Sequence, residues 1–227
     1  QQLNSLLPEK LAHHVARGGA RLLHVSTDAV FDGARGGYTE QDEPNPLGVY
    51  SRTKLEGEQR VAAQDPGALI ARVNLFGWSL HGRRSLAEFF YNNLSAGKGV
   101  MGFTDVFFCP LLVNDIAGVF LEMLSRGLQG LYHVVSGAER GECLSKYEFG
   151  VRLAQTFELD ASLIQPASVQ EAMAIAGLKA ARSPLLTLRT DKLAAALGHP
   201  TPGTTGGIRR LYDLYRQGYP QMLRSLS

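Results

Sequence analysis

Stretches of strand length alternate with stretches of helix length along this chain, and that alternation constrains the fold more than any other feature. Residues 21–26 read as a short buried strand, preceded by a helix-like stretch near 5–17 with Leu6, Leu7, Leu11 and Val15 on one face. Residues 68–73 and 130–135 give two more strands, and helices are expected near 47–64, over 85–95, from 114–115 and from Ser145. Ser145 with Glu148 three residues later has the spacing of a capping box. Parallel strands need a crossover between them, usually a helix, so the pattern predicts an α/β fold with a parallel sheet covered on both faces. The longest apolar run, residues 106–113, is far short of the roughly 20 residues that span a bilayer.

The first strand ends in Ser26-Thr27-Asp28, and about two dozen residues later come Tyr50 and Lys54. Residues four apart lie on one face of a helix, so Tyr50 and Lys54 should point at one spot. Ligands in open α/β sheets sit at the carboxyl ends of strands, which is where Thr27 falls. A free phenol, with a pKa of about 10, is a reluctant acid or base near neutral pH unless a neighbouring cation stabilises its anion. Lys54 is expected to supply that charge. Thr27 adds a hydroxyl that can hold a carbonyl oxygen, so an alkoxide formed there would meet a donor already in place. The three residues read as one carbonyl-reducing device.

The run Ser26-Thr27-Asp28-Ala29-Val30-Phe31-Asp32-Gly33, with Tyr38, Thr39, Glu40, Pro44, Pro46, Tyr50 and Lys54, resembles the extended short-chain dehydrogenase/reductase superfamily. Within it the likeness is to the dTDP-4-dehydrorhamnose reductase family, and it continues through residues 72–78, 115–117 and 182–193. The resemblance implies a Rossmann-type parallel sheet with a smaller mixed α/β substrate lobe. Residues 1–140 would form the cofactor-binding part and 141–227 mainly the substrate lobe with a terminal helix. It further implies NADPH or NADH as cofactor, with Ser26, Tyr50 and Lys54 at the nicotinamide end, and a nucleoside-diphosphate 4-keto-6-deoxy sugar as substrate. Thr27, Tyr50 and Lys54 would be catalytic; Asn74, Trp78 and Arg182 would meet substrate. Asn4 matches a helix asparagine that supports a proton-relay water. The same motifs resemble the regulatory beta subunit of methionine adenosyltransferase, so a non-catalytic partner subunit is the alternative, beside a sugar-nucleotide epimerase or dehydratase.

The chain also departs from that pattern. No Gly-x-Gly-x-x-Gly stands between a first strand and a first helix, where a dinucleotide pyrophosphate would be held. Together with an opening Gln1, this leads to the expectation of an N-terminally incomplete chain that binds cofactor poorly by itself. Ala29 stands where the rhamnose-pathway reductases usually place a tyrosine, and Ser51 where a glycine commonly follows the catalytic tyrosine. These bear on the sugar more than on the chemistry.

A net charge of +2, with Lys and Arg dispersed, argues against nucleic acid or a membrane surface as partner. A homodimer is the assembly to expect. With two cysteines, Cys109 and Cys143, and no Cys/His cluster, the reading is two reduced thiols in a cytoplasmic protein without a metal. His24 and His133 fall inside apolar strands and are expected in the core. Residues 201–207, Thr-Pro-Gly-Thr-Thr-Gly-Gly, read as a flexible link before a final amphipathic helix.

Overall fold

The computed structural model describes residues 1–137, 143–176 and 184–226. A π-helical turn, Gln2–Leu6, runs into α1 (Leu7–Gly18), followed by β1 (Leu23–Thr27), α2 (Val49–Gln64), β2 (Leu69–Val73) and β3 (Leu75–Phe76). Next come α3 (Leu86–Ser95), β4 (Val100–Phe103), β5 (Phe107–Phe108), β6 (Leu111–Leu112), α4 (Val113–Ser125) and β7 (Gly130–Val134). The remainder is β8 (Leu144–Ser145), α5 (Lys146–Thr156), β9 (Ile164–Ala167), α6 (Val169–Ala176), β10 (Leu185–Leu186), α7 (Asp191–Leu197), α8 (Thr204–Arg216) and α9 (Tyr219–Arg224).

The main sheet has the order β1-β2-β7, both pairings parallel, with Ser26 opposite Arg72 and Arg72 opposite His133. All five residues of β2 are buried, as expected for the middle of a covered parallel sheet. Short pairings, β3 with β6, β4 with β9, and β5 with both β10 and β8, form separate small sheets in the rest of the chain. The expected α/β architecture is therefore present.

Two apolar clusters carry most of the packing, and the chain crosses between them more than once. Leu69, Ala71 and Val73 pack with Ile116, Val119, Met123 and Val134, and with Leu193 and Leu197 from α7. Phe76, Trp78, Phe90, Leu144, Phe149 and Leu153 pack with Ile208 and Leu211 from α8. Helix α3 thus joins α5 and α8, although it precedes β7 in sequence.

Ser145 and Glu148 form the expected capping box on α5. Ser85 and Glu88 form a second one on α3, where Glu88 is fully buried. Two expectations are corrected. Cys109 and Cys143 are not free thiols but a disulfide across 34 residues, a partnership that two isolated cysteines in sequence cannot announce. Residues 201–207 are not a loose link: the Thr201 hydroxyl donates to the Val135 carbonyl at 2.6 Å and the Thr204 hydroxyl to the Pro110 carbonyl at 2.8 Å. Gly207 lies inside α8, where the Phe76 ring comes so near that a Cβ would sit 3.0 Å from it.

The letters Gly-x-Gly-x-x-Gly do occur, at Gly97, Gly99 and Gly102. They lead out of α3 into β4, the reverse of the strand-to-helix order in which a helix N-terminus meets phosphate. No helix among the described residues is long and apolar enough to cross a membrane, and those residues contain no cluster of His, Cys, Asp and Glu that could hold a metal.

Candidate active site

β1 ends at Thr27, whose side chain accepts from the Ala29 N–H at 3.2 Å and so starts a single 3-10 turn over Asp28–Val30. This turn leaves Thr27 and Asp28 at the mouth of the sheet. Gly48 opens α2, and the first turns of that helix place Tyr50 and Lys54 across from them. A cavity of about 390 Å³ is lined by Val25, Ser26, Thr27, Asp28, Tyr50, Lys54, Val73, Asn74 and Leu75. Ser26, Thr27, Tyr50, Lys54 and Asn74 are therefore brought together, as their spacing requires. A second hollow of about 300 Å³ shares Asn74 and Leu75 and extends the cleft past Phe107 and Phe108 to Lys146 and Leu186.

The electrostatics differ in one respect from the expected arrangement. The Lys54 ammonium donates to the Val25 carbonyl at 2.5 Å, and burial lowers its pKa while Glu58 raises it. Tyr50 is pushed upward: burial comes first, a hydrogen bond with Thr27 works against it, and the Asp28 carboxylate adds to the rise. Tyr50 is accordingly a protonated phenol at neutral pH.

Asp28 has a larger part in the site than its place in the sequence suggests. It is 5% exposed, and burial raises its carboxyl to about 6 despite hydrogen bonds from Asn74, Thr27 and the Ala29 N–H, with further attraction from Lys146. The Thr27 hydroxyl donates to it at 3.1 Å, and the Asn74 amide donates to its other oxygen. Asn74 therefore lines the cleft with its amide held by a neighbour. An acid beside a strand-end threonine was visible in the sequence, but its burial was not.

Ser26 is 2% exposed; the residue lines the cavity, and its buried hydroxyl has no hydrogen-bond partner among the described residues. An orphaned hydroxyl beside an ammonium suits the polyhydroxyl end of a nucleotide. His24 is buried behind them; burial and then the Lys54 charge hold its imidazole down to about 4. His133 is fully buried and likewise held near 4, first by burial and then by Arg72. Asn4 donates its amide to the Thr53 hydroxyl at 3.0 Å, and that hydroxyl donates to the Tyr50 carbonyl at 2.8 Å, so Asn4 braces α2 between Tyr50 and Lys54.

Trp78 is not in the cleft. It is 6% exposed, packed against Tyr91, Phe157 and Tyr215, and its indole N–H donates to the Leu211 carbonyl at 3.2 Å. At that burial, and with its N–H taken, it has no surface left for a sugar or base. Arg182 lies outside the described residues.

Residues 1–216 match the family described as RmlD substrate binding domain. Over 172 residues the chain is 37% identical to methionine adenosyltransferase 2 subunit beta of Xenopus tropicalis, covering 72% of this chain and 50% of that protein. Over 145 residues it is 39% identical to a dTDP-4-dehydrorhamnose reductase of Mycobacterium tuberculosis, covering 61% and 46% respectively. The chain spans about half the length of the curated relatives it matches. The crystal structure of a dTDP-4-dehydrorhamnose reductase from Clostridium acetobutylicum superposes with a TM-score of 0.82 at 27% identity, covering 94% of this chain and 72% of that one. With residues 1–216 matched, the chain belongs to the RmlD substrate binding domain family.

Proposed function

We propose that this chain carries the catalytic groups of an NADPH- or NADH-dependent reductase acting on a nucleoside-diphosphate 4-keto-6-deoxy sugar. The observation that carries the reading is the convergence of Thr27, Tyr50 and Lys54 on one cleft at the carboxyl end of β1 and β2. The relatives named dTDP-4-dehydrorhamnose reductase support it.

Ser26, with its unpartnered hydroxyl, and Lys54, with an ammonium at the cavity wall, are the groups suited to hold the ribose of a nicotinamide nucleotide. When bound, such a cofactor supplies a hydride to the carbonyl carbon. Thr27, once its hydroxyl turns from Asp28, orients the ketone oxygen, and Tyr50, protonated at neutral pH, delivers a proton to the alkoxide. Lys54 must leave the Val25 carbonyl, or share its donors with it, to favour the tyrosinate that remains. Asn74 and, from outside the described residues, Arg182 are the substrate-side candidates, for a sugar hydroxyl and the diphosphate.

Tyr50→Phe in the full-length protein should lower turnover of a dTDP-4-keto-6-deoxy sugar by roughly 100-fold or more while leaving NADPH binding nearly intact. Turnover close to wild type would refute the assignment. The identity to methionine adenosyltransferase beta subunits favours a second reading, a partner subunit of a synthetase. Silence with sugar nucleotides, together with co-purification of such an enzyme, would favour it.

A further inference from the structure

The corner where β1 ends holds a hydrogen-bonded group that the reaction as derived does not use. The Thr27 hydroxyl has one hydrogen and two lone pairs. One lone pair takes the Ala29 N–H at 3.2 Å. One hydrogen and one lone pair then remain for two neighbours, the Asp28 carboxyl at 3.1 Å and the Tyr50 phenol. Whichever neighbour takes the hydrogen, the other can only give one.

Asp28 is 5% exposed; the Asn74 amide donates to its Oδ2, and its Oδ1 meets Thr27. An amide nitrogen gives hydrogens and takes none, so a proton bound to Asp28 sits on Oδ1 and points at Thr27. Among the described residues that line the cleft, the other charged or titratable side chains are Tyr50 and Lys54 from α2 and Lys146 from α5. The residues contributed by β2, β3, α3, β5 and β10 are neutral, as is Asn74. Lys146 attracts the carboxylate, and the carboxylate in turn raises Tyr50. Burial outweighs that attraction and leaves the carboxyl at about 6, so it gains and loses its proton over roughly pH 5 to 7.

With Asp28 ionised, Thr27 donates to it and keeps only a lone pair for Tyr50. The hydrogens then run from Tyr50 to Thr27 to Asp28, away from the cleft. A ketone oxygen, which only accepts, finds neither hydroxyl offering a hydrogen. With Asp28 protonated, its own hydrogen fills the Thr27 lone pair, the Thr27 hydrogen turns outward and the Tyr50 hydrogen is released. We propose that Asp28 is a positioning residue that sets, through Thr27, the direction of both hydroxyls, so that the site holds and protonates a ketone oxygen only while Asp28 carries a proton. The ketone rests on the reductase reading above, whereas the direction of the hydrogen bonds does not.

The test compares the full-length wild type with Asp28→Asn. Asparagine copies the protonated carboxyl, because its oxygen can accept from Asn74 while its amide donates to Thr27 at any pH. Wild-type kcat/KM for the keto sugar should fall about tenfold per pH unit above about 6, since this ratio reports ionisation of the free enzyme. In Asp28→Asn it should stay level to about pH 8 and there exceed wild type by about tenfold or more. A level wild-type profile, or the same descending limb in the variant, would overturn the proposal. Carbon-13 NMR needs no substrate: the Asp28 carboxyl should titrate at about 6, and the Tyr50 ring carbon that bears oxygen should shift with the same midpoint. That shift should be missing from Asp28→Asn, and a Tyr50 signal indifferent to Asp28 would overturn the proposal whatever the sugar. If Tyr50→Phe keeps full turnover, the reductase reading fails, and the coupled NMR shift alone then supports the proposal or, by its absence, ends it.

Discussion

Replacing Arg72 by methionine should cost more stability than almost any other single change in the sheet. Arg72 stands in the middle of β2, 3% exposed, and its side chain runs to Glu58 on α2, one turn beyond Lys54. Three donor–acceptor contacts join them: Nε to Oε1 at 3.0 Å, Nε to Oε2 at 3.2 Å and Nη2 to Oε2 at 2.8 Å. The guanidinium carbon lies 5.0 Å from the centre of the Phe31 ring. The pair thus fastens the helix that carries Tyr50 and Lys54 to the strand beside Ser26. Removing the cation leaves a carboxylate buried without its partner, a loss of about 3–5 kcal/mol. For a chain of this size that is a melting-temperature drop of roughly 6–20 °C. Glu58→Leu should do comparable damage. The double variant Glu58→Leu/Arg72→Met, which removes both charges and keeps apolar volume, should recover at least about half of the summed loss, giving a coupling energy of about 3 kcal/mol or more. Urea denaturation followed by far-UV circular dichroism, and by the fluorescence of the lone tryptophan in the other cluster, measures all four corners of the cycle. Single variants that each cost under about 1 kcal/mol, or a double variant equal to their sum, would refute the reasoning.

Asp28 binds its proton more tightly in the folded protein, near 6, than at its ordinary 3.8. Its contribution therefore erodes stability as pH rises from about 4 to 6, and Asp28→Asn should remove that decline, leaving the variant up to roughly 3 kcal/mol more stable at pH 7. Parallel stability–pH curves for the two proteins would contradict this. Gly57→Ala would place a Cβ 2.1 Å from the Asn4 carbonyl oxygen. Because backbone must move, it should destabilise by about 1–3 kcal/mol and increase hydrogen exchange over the Gln2–Leu6 turn; unchanged exchange there would count against it. Reducing the Cys109–Cys143 disulfide frees a loop of 34 residues, which by chain entropy should lower stability by roughly 4 kcal/mol. Denaturation with and without dithiothreitol reads this directly, and coincident curves would exclude it.

The parts of this molecule legible in sequence are those in which local rules and tertiary context agree. Strand length, helix period and the Ser145/Glu148 spacing all reappear in place, because each is set by residues a few positions apart. The Ser85/Glu88 box was written in the same code, and the carboxylate that completes it also organises the loop before it. Asn74 and Asp28, 46 residues apart, meet only because parallel pairing aligns the ends of β1 and β2. Residues 201–207 show the opposite case: their composition is that of a linker, but buried acceptors on Val135 and Pro110 capture the threonine hydroxyls. Trp78 was placed by analogy near a substrate, whereas a large ring beside Tyr91, Phe157 and Tyr215 gains more by burial.

The double crossing of the chain between its apolar clusters bears on how the protein is made. The cluster on the sheet waits for Leu193 and Leu197, and the other waits for Ile208 and Leu211. A ribosome delivering residues at about 5–20 per second exposes β2 many seconds before the side chains that cover it have emerged. Neither core can close early, and neither can be liberated by a single proteolytic cut. During synthesis Leu69, Ala71 and Val73 of β2 are incompletely covered apolar surface, a natural target for chaperones, until Leu193 and Leu197 arrive.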